Sequence, residues 1–146
     1  MSFLGYTTKD VECYPLAASG PTVASPATAW TWGSWVEIVP VNTITVDFVI
    51  THLVALEFPT AAVDTRHQTV FQLGVGAAGS EVAIISIPVT WLIDSAVGHL
   101  APWIFPLPTP RKVLANSRVS VRVAHSAAVA STFGGCKIVY VKLPYT

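Results

Sequence analysis

Within the stretch Ser117-Arg118-Val119-Ser120-Val121-Arg122-Val123-Ala124, polar and apolar residues alternate without a break from Arg118 to Val123. Successive side chains of an extended chain point to opposite faces, so Val119, Val121 and Val123 are expected inward and Arg118, Ser120 and Arg122 outward. A helix would turn Val119 and Val121 to opposite sides and leave no apolar face. The stretch therefore reads as a half-buried β-strand.

Working outward, Gly134 and Gly135 form a turn before a second such run, Cys136 to Leu143. Here Val139, Val141 and Leu143 are set as the inward face against Lys137, Tyr140 and Lys142. Upstream, Trp103 to Leu107 lies between prolines and reads as a short edge strand, because proline cannot donate to a ladder. Gln68 to Val75 and Glu81 to Val89 are two further strands, the second apolar on both faces, after a polar loop from Pro59 to His67. Ser34 to Val39 is a short strand closed by Pro40. Thr43 to Leu56 is a long one, with Ile44, Val46, Phe48, Ile50, Val54 and Leu56 on its core face, His52 in the same register, and Thr43, Thr45, Asp47 and Thr51 on the other.

Composition agrees. Val, Ile and Thr fill 45 of the 146 positions, and these β-branched residues suit a pleated surface. The 11 Pro and 9 Gly fall between the apolar runs, which suits many short strands and few helices. Seven or eight strands with turns between them predict an all-β, two-sheet antiparallel sandwich of jelly-roll or immunoglobulin-like connectivity. The length fits one domain. Residues 1–33, and Leu16 to Gly33 above all with its Ala, Ser, Pro and Thr, read as an extended N-terminal arm; residues 34–146 form the sandwich.

Charge narrows the function. Only 11% of residues are charged, the formal net charge is zero, and the mean hydropathy is +0.58. Ordinary soluble domains carry roughly 25% charged residues. Such a surface is expected to be covered in part by partner chains, and the arm becomes ordered by lying across a neighbour. Zero net charge removes the attraction that nucleic-acid binding needs, so no direct DNA or RNA partner is expected. The apolar stretch Val82 to Phe105 contains Pro88, Asp94, His99 and Pro102 and has a strand's composition, so no membrane span is expected. MSFLGYTTKD has no basic stretch followed by an apolar core, and Cys13 and Cys136 lie far apart; no signal peptide is expected, and the thiols are expected free.

No motif reads as an active site. Gly74 to Gly79 matches G-x-G-x-x-G, but a strand rather than a helix follows it, so a hairpin with glycines at positive φ is expected and no cofactor. Asp94, Ser95 and His99 lack any arrangement that would align nucleophile and base. His52, His67, His99 and His125 have no ligand spacing, so no metal is expected. The chain is not expected to be an enzyme. Trp30, Trp32 and Trp35 could be a stacking platform for sugar rings, with Trp30 and Trp32 on one face of an extended segment, but packing or a protein interface is the stronger reading. Arg111, Lys112, Arg118 and Arg122 are the basic concentration, with Arg118 and Arg122 on one face, expected solvated or in interprotein ion pairs. Trp30, Trp32, Trp35, Arg118 and Arg122 are thus the candidate interface or ligand-stacking residues.

The segments GVGAAGSE, WIFPLPTP and SRVSVRV together resemble small β-sandwich virion proteins of tailed bacteriophages. In these a Gly/Ala-rich hairpin precedes an aromatic-proline edge segment and an R-x-x-x-R strand. The resemblance spans Gln68 to Val123. It implies a capsid decoration, cement or minor head protein, or a tail- or fibre-associated module, oligomeric and often trimeric. Its partners would be other virion proteins, chiefly a major capsid protein, and its place the virion after synthesis in the host cytoplasm. A carbohydrate-binding module or fibre-associated adhesion protein using the tryptophans is the alternative.

Overall fold

The computed structural model describes residues 11–16, 20–57, 66–92 and 103–143. These residues form β-strands and no helix: β1 (Val11–Tyr14), β2 (Val23–Ser25), β3 (Val36–Val39), β4 (Phe48–Ala55), β5 (Arg66–Val75), β6 (Val82–Leu92), β7 (Trp103–Val113), β8 (Val119–His125), β9 (Ser131–Phe133) and β10 (Lys137–Lys142). One sheet runs β1-β10-β4-β7 and the other β3-β8-β5-β6, with β2 and β9 as a separate pair. The antiparallel pairs β1·β10, β3·β8, β4·β7 and β5·β6 are nested, as in one long hairpin rolled up on itself. Further pairing of β10 with β4 and of β5 with β8 closes the roll. This connectivity is a jelly roll, which decides between the two sandwich topologies expected from the sequence.

The core lies between the sheets. Phe48, Ile50, Leu53 and Ile138 come from the first, and Phe71, Leu73, Val119, Val121 and Val123 from the second; all are fully buried. Phe133 of β9 closes one end, its ring edge-on to Phe71 at 5.2 Å between centroids. Each such side chain contributes about 1.5–3 kcal/mol through burial. The three valines of β8 point inward as their alternation requires. Ser120 departs from the expectation: it is on the other face but is also fully buried, and its Oγ has no hydrogen-bond partner among the described residues.

Three other expectations are corrected. In β4 the inward face runs Phe48, Ile50, then Leu53 and Ala55, because Thr51 is bulged out of register against both neighbouring strands. One extra residue reverses the parity of everything after it. His52 is therefore only half-buried, with Nδ1 2.9 Å from Thr51 Oγ1. In β10 the core takes Ile138 and Tyr140, while Val139 and Val141 are half-buried on the opposite face. A tyrosine can be the inward residue because its hydroxyl donates to Glu12 of β1 at the sheet edge. Finally, the part of residues 1–33 that is described does not stand away from the sandwich: β1 extends the first sheet, β2 pairs β9, and Trp30 N and Gly33 N donate to His125 O and Val123 O at 2.8 and 2.9 Å. The chain's own strand edges satisfy this segment's backbone.

β7 is an edge strand, as its prolines require, but it reaches eleven residues, to Val113. Its pairing with β4 is interrupted between Pro106 and Arg111, where Pro108 and Pro110 lie. Asp94, Ser95 and His99 lie outside the described residues.

Candidate functional site

Two regions gather side chains that could meet a partner. The first is on the outer face of the second sheet. The Arg122 guanidinium lies over the rings of Trp32 and Trp35, 4.8 and 4.3 Å from their centroids. Its Nε donates to Gln72 Oε1 at 2.8 Å, and Gln72 Nε2 donates to Ser86 Oγ at 3.0 Å. A planar cation held over two aromatic faces is both stacked and charge-stabilised. Trp35 reaches across the sheet to Gly74. Trp30 stands apart: its φ of 58° puts a turn before Trp32, so the two do not share one face of an extended segment, and half of its surface is exposed.

The second region is the end of the roll where the β3–β4, β5–β6 and β7–β8 connections meet. Hydrogen bonds fix all three. Asn42 N donates to Asn116 O (3.2 Å), Asn116 N to Ile44 O (2.7 Å) and Gly76 N to Arg118 O (3.4 Å). Asn42 and Asn116 both have φ of 63°, a conformation that asparagine tolerates well. The G-x-G-x-x-G run forms the hairpin tip, with Gly76 at φ 128°, Gly79 at φ 82°, Ser80 N donating to Ala77 O and Gly79 N to Glu81 Oε2.

Arg118 ties this end together. Its Nε donates to Glu37 Oε2 at 2.6 Å and its Nη1 to Glu81 Oε1, so the cation is paired within the chain. Arg118 and Arg122, expected on one face, therefore serve two different clusters. The Arg118 hydrogen bond holds the Glu81 carboxyl below its usual range. Asp47 is held low likewise, first by Lys112 and then by the Ala115 backbone amide, which braces the β7–β8 turn.

This braced end exposes apolar side chains among polar ones such as Asn42, Thr43, Ser80 and Asn116. Val41, Val82 and Leu114 are 59%, 66% and 65% exposed, beside an open groove of about 540 Å³ lined by Val41, Val75, Ala77, Ala78, Asn116 and Arg118. Connections between strands ordinarily show polar residues to water, so the exposed Val41 and Leu114 in these ordered turns make this end a candidate contact surface. Sequence reading missed this site, because its three parts are far apart in the chain. The asparagine turns at Val41-Asn42 and Ala115-Asn116 were the available signal.

Among the described residues no group of three or more His, Cys, Asp and Glu could hold a metal ion. No helix among them is long and apolar enough to cross a membrane. His125 is buried, its Nδ1 3.4 Å from Ser131 Oγ and its ring edge-on to Phe133.

No protein-family model and no curated protein matches the chain. Among solved structures it is similar to Eiger TNF from S. frugiperda, with a TM-score of 0.44 and 11% sequence identity over 93% of each chain.

Proposed function

We propose that this jelly roll is a structural virion protein that binds and stabilises a protein shell through its surface, with the braced apolar end as the docking face. The observation that carries the reading is the pairing of rigidity with hydrophobicity there. Turns held by Arg118, Asp47 and reciprocal backbone bonds lose little further entropy on docking, while Val41, Val82 and Leu114 have apolar area to bury at about 25 cal/mol per Å². The low charge of the chain supports a covered surface, and the resemblance of Gln68 to Val123 supports a virion setting with a major capsid protein as partner.

The carbohydrate reading has the tryptophans on its side, Trp30 above all, which is exposed. Trp32 and Trp35 each already have a face engaged by Arg122, and a sugar would have to compete for it.

Mass spectrometry and antibody labelling of particles purified from cells carrying the native genome test the proposal. The chain should be present at high copy along the shell, and Leu114→Glu should remove it from the particles without altering its circular dichroism. Absence of the wild-type chain from the particles would overturn the reading, as would retention of the variant. A glycan array bound by the wild-type chain and not by Trp30→Ala would favour the sugar-binding module instead.

A further inference from the structure

Carboxylates are divided unevenly between the two arginines on the outer face of the second sheet. Glu37, opposite Ser120, and Glu81, just before β6, are both bonded to Arg118. Arg122 takes none among the described residues. Across the sheet it faces uncharged partners, Gln72 on β5 and then Ser86 on β6.

The Arg122 guanidinium is nonetheless fixed. The half-buried rings of Trp32 and Trp35 support it, and its Nε is used by Gln72 Oε1. Nη1 and Nη2 have no hydrogen-bond partner among the described residues and are not sealed from solvent. What remains open is the end-on fork of a planar cation whose side-chain freedom has already been lost. Such preorganisation leaves more of each new bond for the ligand that makes it.

The fork also selects its ligand. A carboxylate presents two oxygens in one plane and matches two parallel N–H donors. Phosphate fits the same donors, but its second charge calls for further cations or a nest of backbone amides, and Gln72 and Ser86 supply neither. Ser86 Oγ already accepts from Gln72 Nε2, so its own proton can be donated to a ligand oxygen.

We infer that this outer face binds a small carboxylate-bearing ligand, held end-on by Arg122 Nη1 and Nη2, with Trp32, Trp35 and Gln72 positioning the guanidinium. It differs from a stacking platform for sugar rings: the indoles hold the cation, and the cation meets the ligand. The site is separate from the braced end, whose docking uses Val41, Val82 and Leu114.

Nitrogen-15 NMR of the full chain tests the inference by titration with sodium glucuronate, sodium acetate, glucose and inorganic phosphate at equal ionic strength. Glucuronate should shift the Arg122 Nε and Nη resonances with a dissociation constant of about 1–10 mM. Acetate should shift them in the same direction, phosphate should bind more weakly than glucuronate, and glucose should leave them in place. A tighter constant for glucuronate than for acetate assigns the site to sugar acids, and equal constants assign it to plain organic acids; both sustain it. Arg122→Lys keeps the charge but loses the fork, and should raise the glucuronate constant by about tenfold or more. Gln72→Leu keeps Arg122 but removes the bond that aims it, and should weaken binding by about threefold or more. Leu114→Glu should bind glucuronate as the wild type does, so that shell docking and ligand binding are read separately. Arg122 resonances unmoved by glucuronate, equal shifts with glucose, tighter binding of phosphate, or full affinity in both Arg122→Lys and Gln72→Leu would overturn the inference.

Discussion

The indole of Trp35 rests on Gly74, so that a Cβ at position 74 would fall 2.7 Å from Cη2 and 2.9 Å from Cζ3. Gly74 belongs to β5 and Trp35 precedes β3, with β8 between the two strands. The ring thus spans β8 on the outer face of the sheet, which helps explain why both faces of that strand are covered. Gly74→Ala should cost about 1–3 kcal/mol by forcing the ring off its seat. The same change in a Trp35→Ala background should cost less than about 0.5 kcal/mol, because the clash has gone. Urea unfolding of the four proteins of this cycle measures the coupling; equal costs in the two backgrounds would show that Gly74 is required for some other reason.

Arg122 also holds that ring, its guanidinium 4.3 Å from the ring centroid. Arg122→Ala removes two ring contacts and the bond to Gln72, and about 1–2 kcal/mol of stability should go with them. Arg122→Lys should recover less than half of the loss, because an ammonium cannot lie flat over two rings and donate through Nε as well. Near-ultraviolet circular dichroism should change in both variants as the tryptophans lose their fixed surroundings. A lysine variant as stable as the wild type would reduce the stack to a simple charge effect.

The contrast between Arg122 and Arg118 shows where the sequence is legible. Strict alternation from Arg118 to Val123 displays the inward valines of β8, since period two admits one arrangement once a single face is buried. Alternation says nothing about what lies over the other face, so it places Ser120 outward without revealing its burial under added structure. The partners of Arg118 are 81 and 37 residues away, and no local pattern joins Glu37, Glu81 and Arg118 before the roll closes. In β4 the residues Ile50-Thr51-His52-Leu53-Val54 fit either face about equally well, so the bulge at Thr51 is a tertiary choice. Nested pairing likewise depends on contacts between strands from opposite ends of the chain, which is why the jelly roll and the immunoglobulin topology are indistinguishable until the strand order is known.

The two thiols should differ sharply in reactivity. Cys136 is fully buried and its Sγ is 3.7 Å from Phe133 O; burial pushes the thiol up to about 12 from its ordinary value of 9.0. Cys13 lies half-buried on the edge strand β1. Since thiolate is the reacting species, an aromatic disulfide reagent at neutral pH should titrate Cys13 first and Cys136 at least about a hundredfold more slowly, limited by opening of the structure. Denaturant should bring the second equivalent out at once. Two equally fast equivalents in the native protein would place Cys136 at the surface.

Acid should loosen the chain at defined joints. Glu12 is held below its ordinary value of 4.5 by the hydrogen bond from Lys142, then by that from Tyr140; Asp47, ordinarily 3.8, is held low by Lys112, and Glu81 by Arg118. A carboxyl whose folded value lies below its unfolded one binds more protons when unfolded. Its contribution is therefore complete above the unfolded value and is lost as pH falls through the folded one. The contribution of these three carboxyls should be complete above about pH 5 and should decline below about pH 4.5. Glu12→Gln should shallow that decline while lowering the neutral-pH plateau, because it removes one titrating joint together with the ion pair between β1 and β10. Tyr140 works in the opposite sense: burial, then Glu12, raises its phenol from an ordinary 10.0, so its contribution is intact below that value and is lost as pH rises above it. In Tyr140→Phe the alkaline loss should be smaller, and differential scanning calorimetry across both limbs separates the two groups. An acid limb that Glu12→Gln leaves unchanged would mean that Asp47 and Glu81, at the braced end, dominate the acid response.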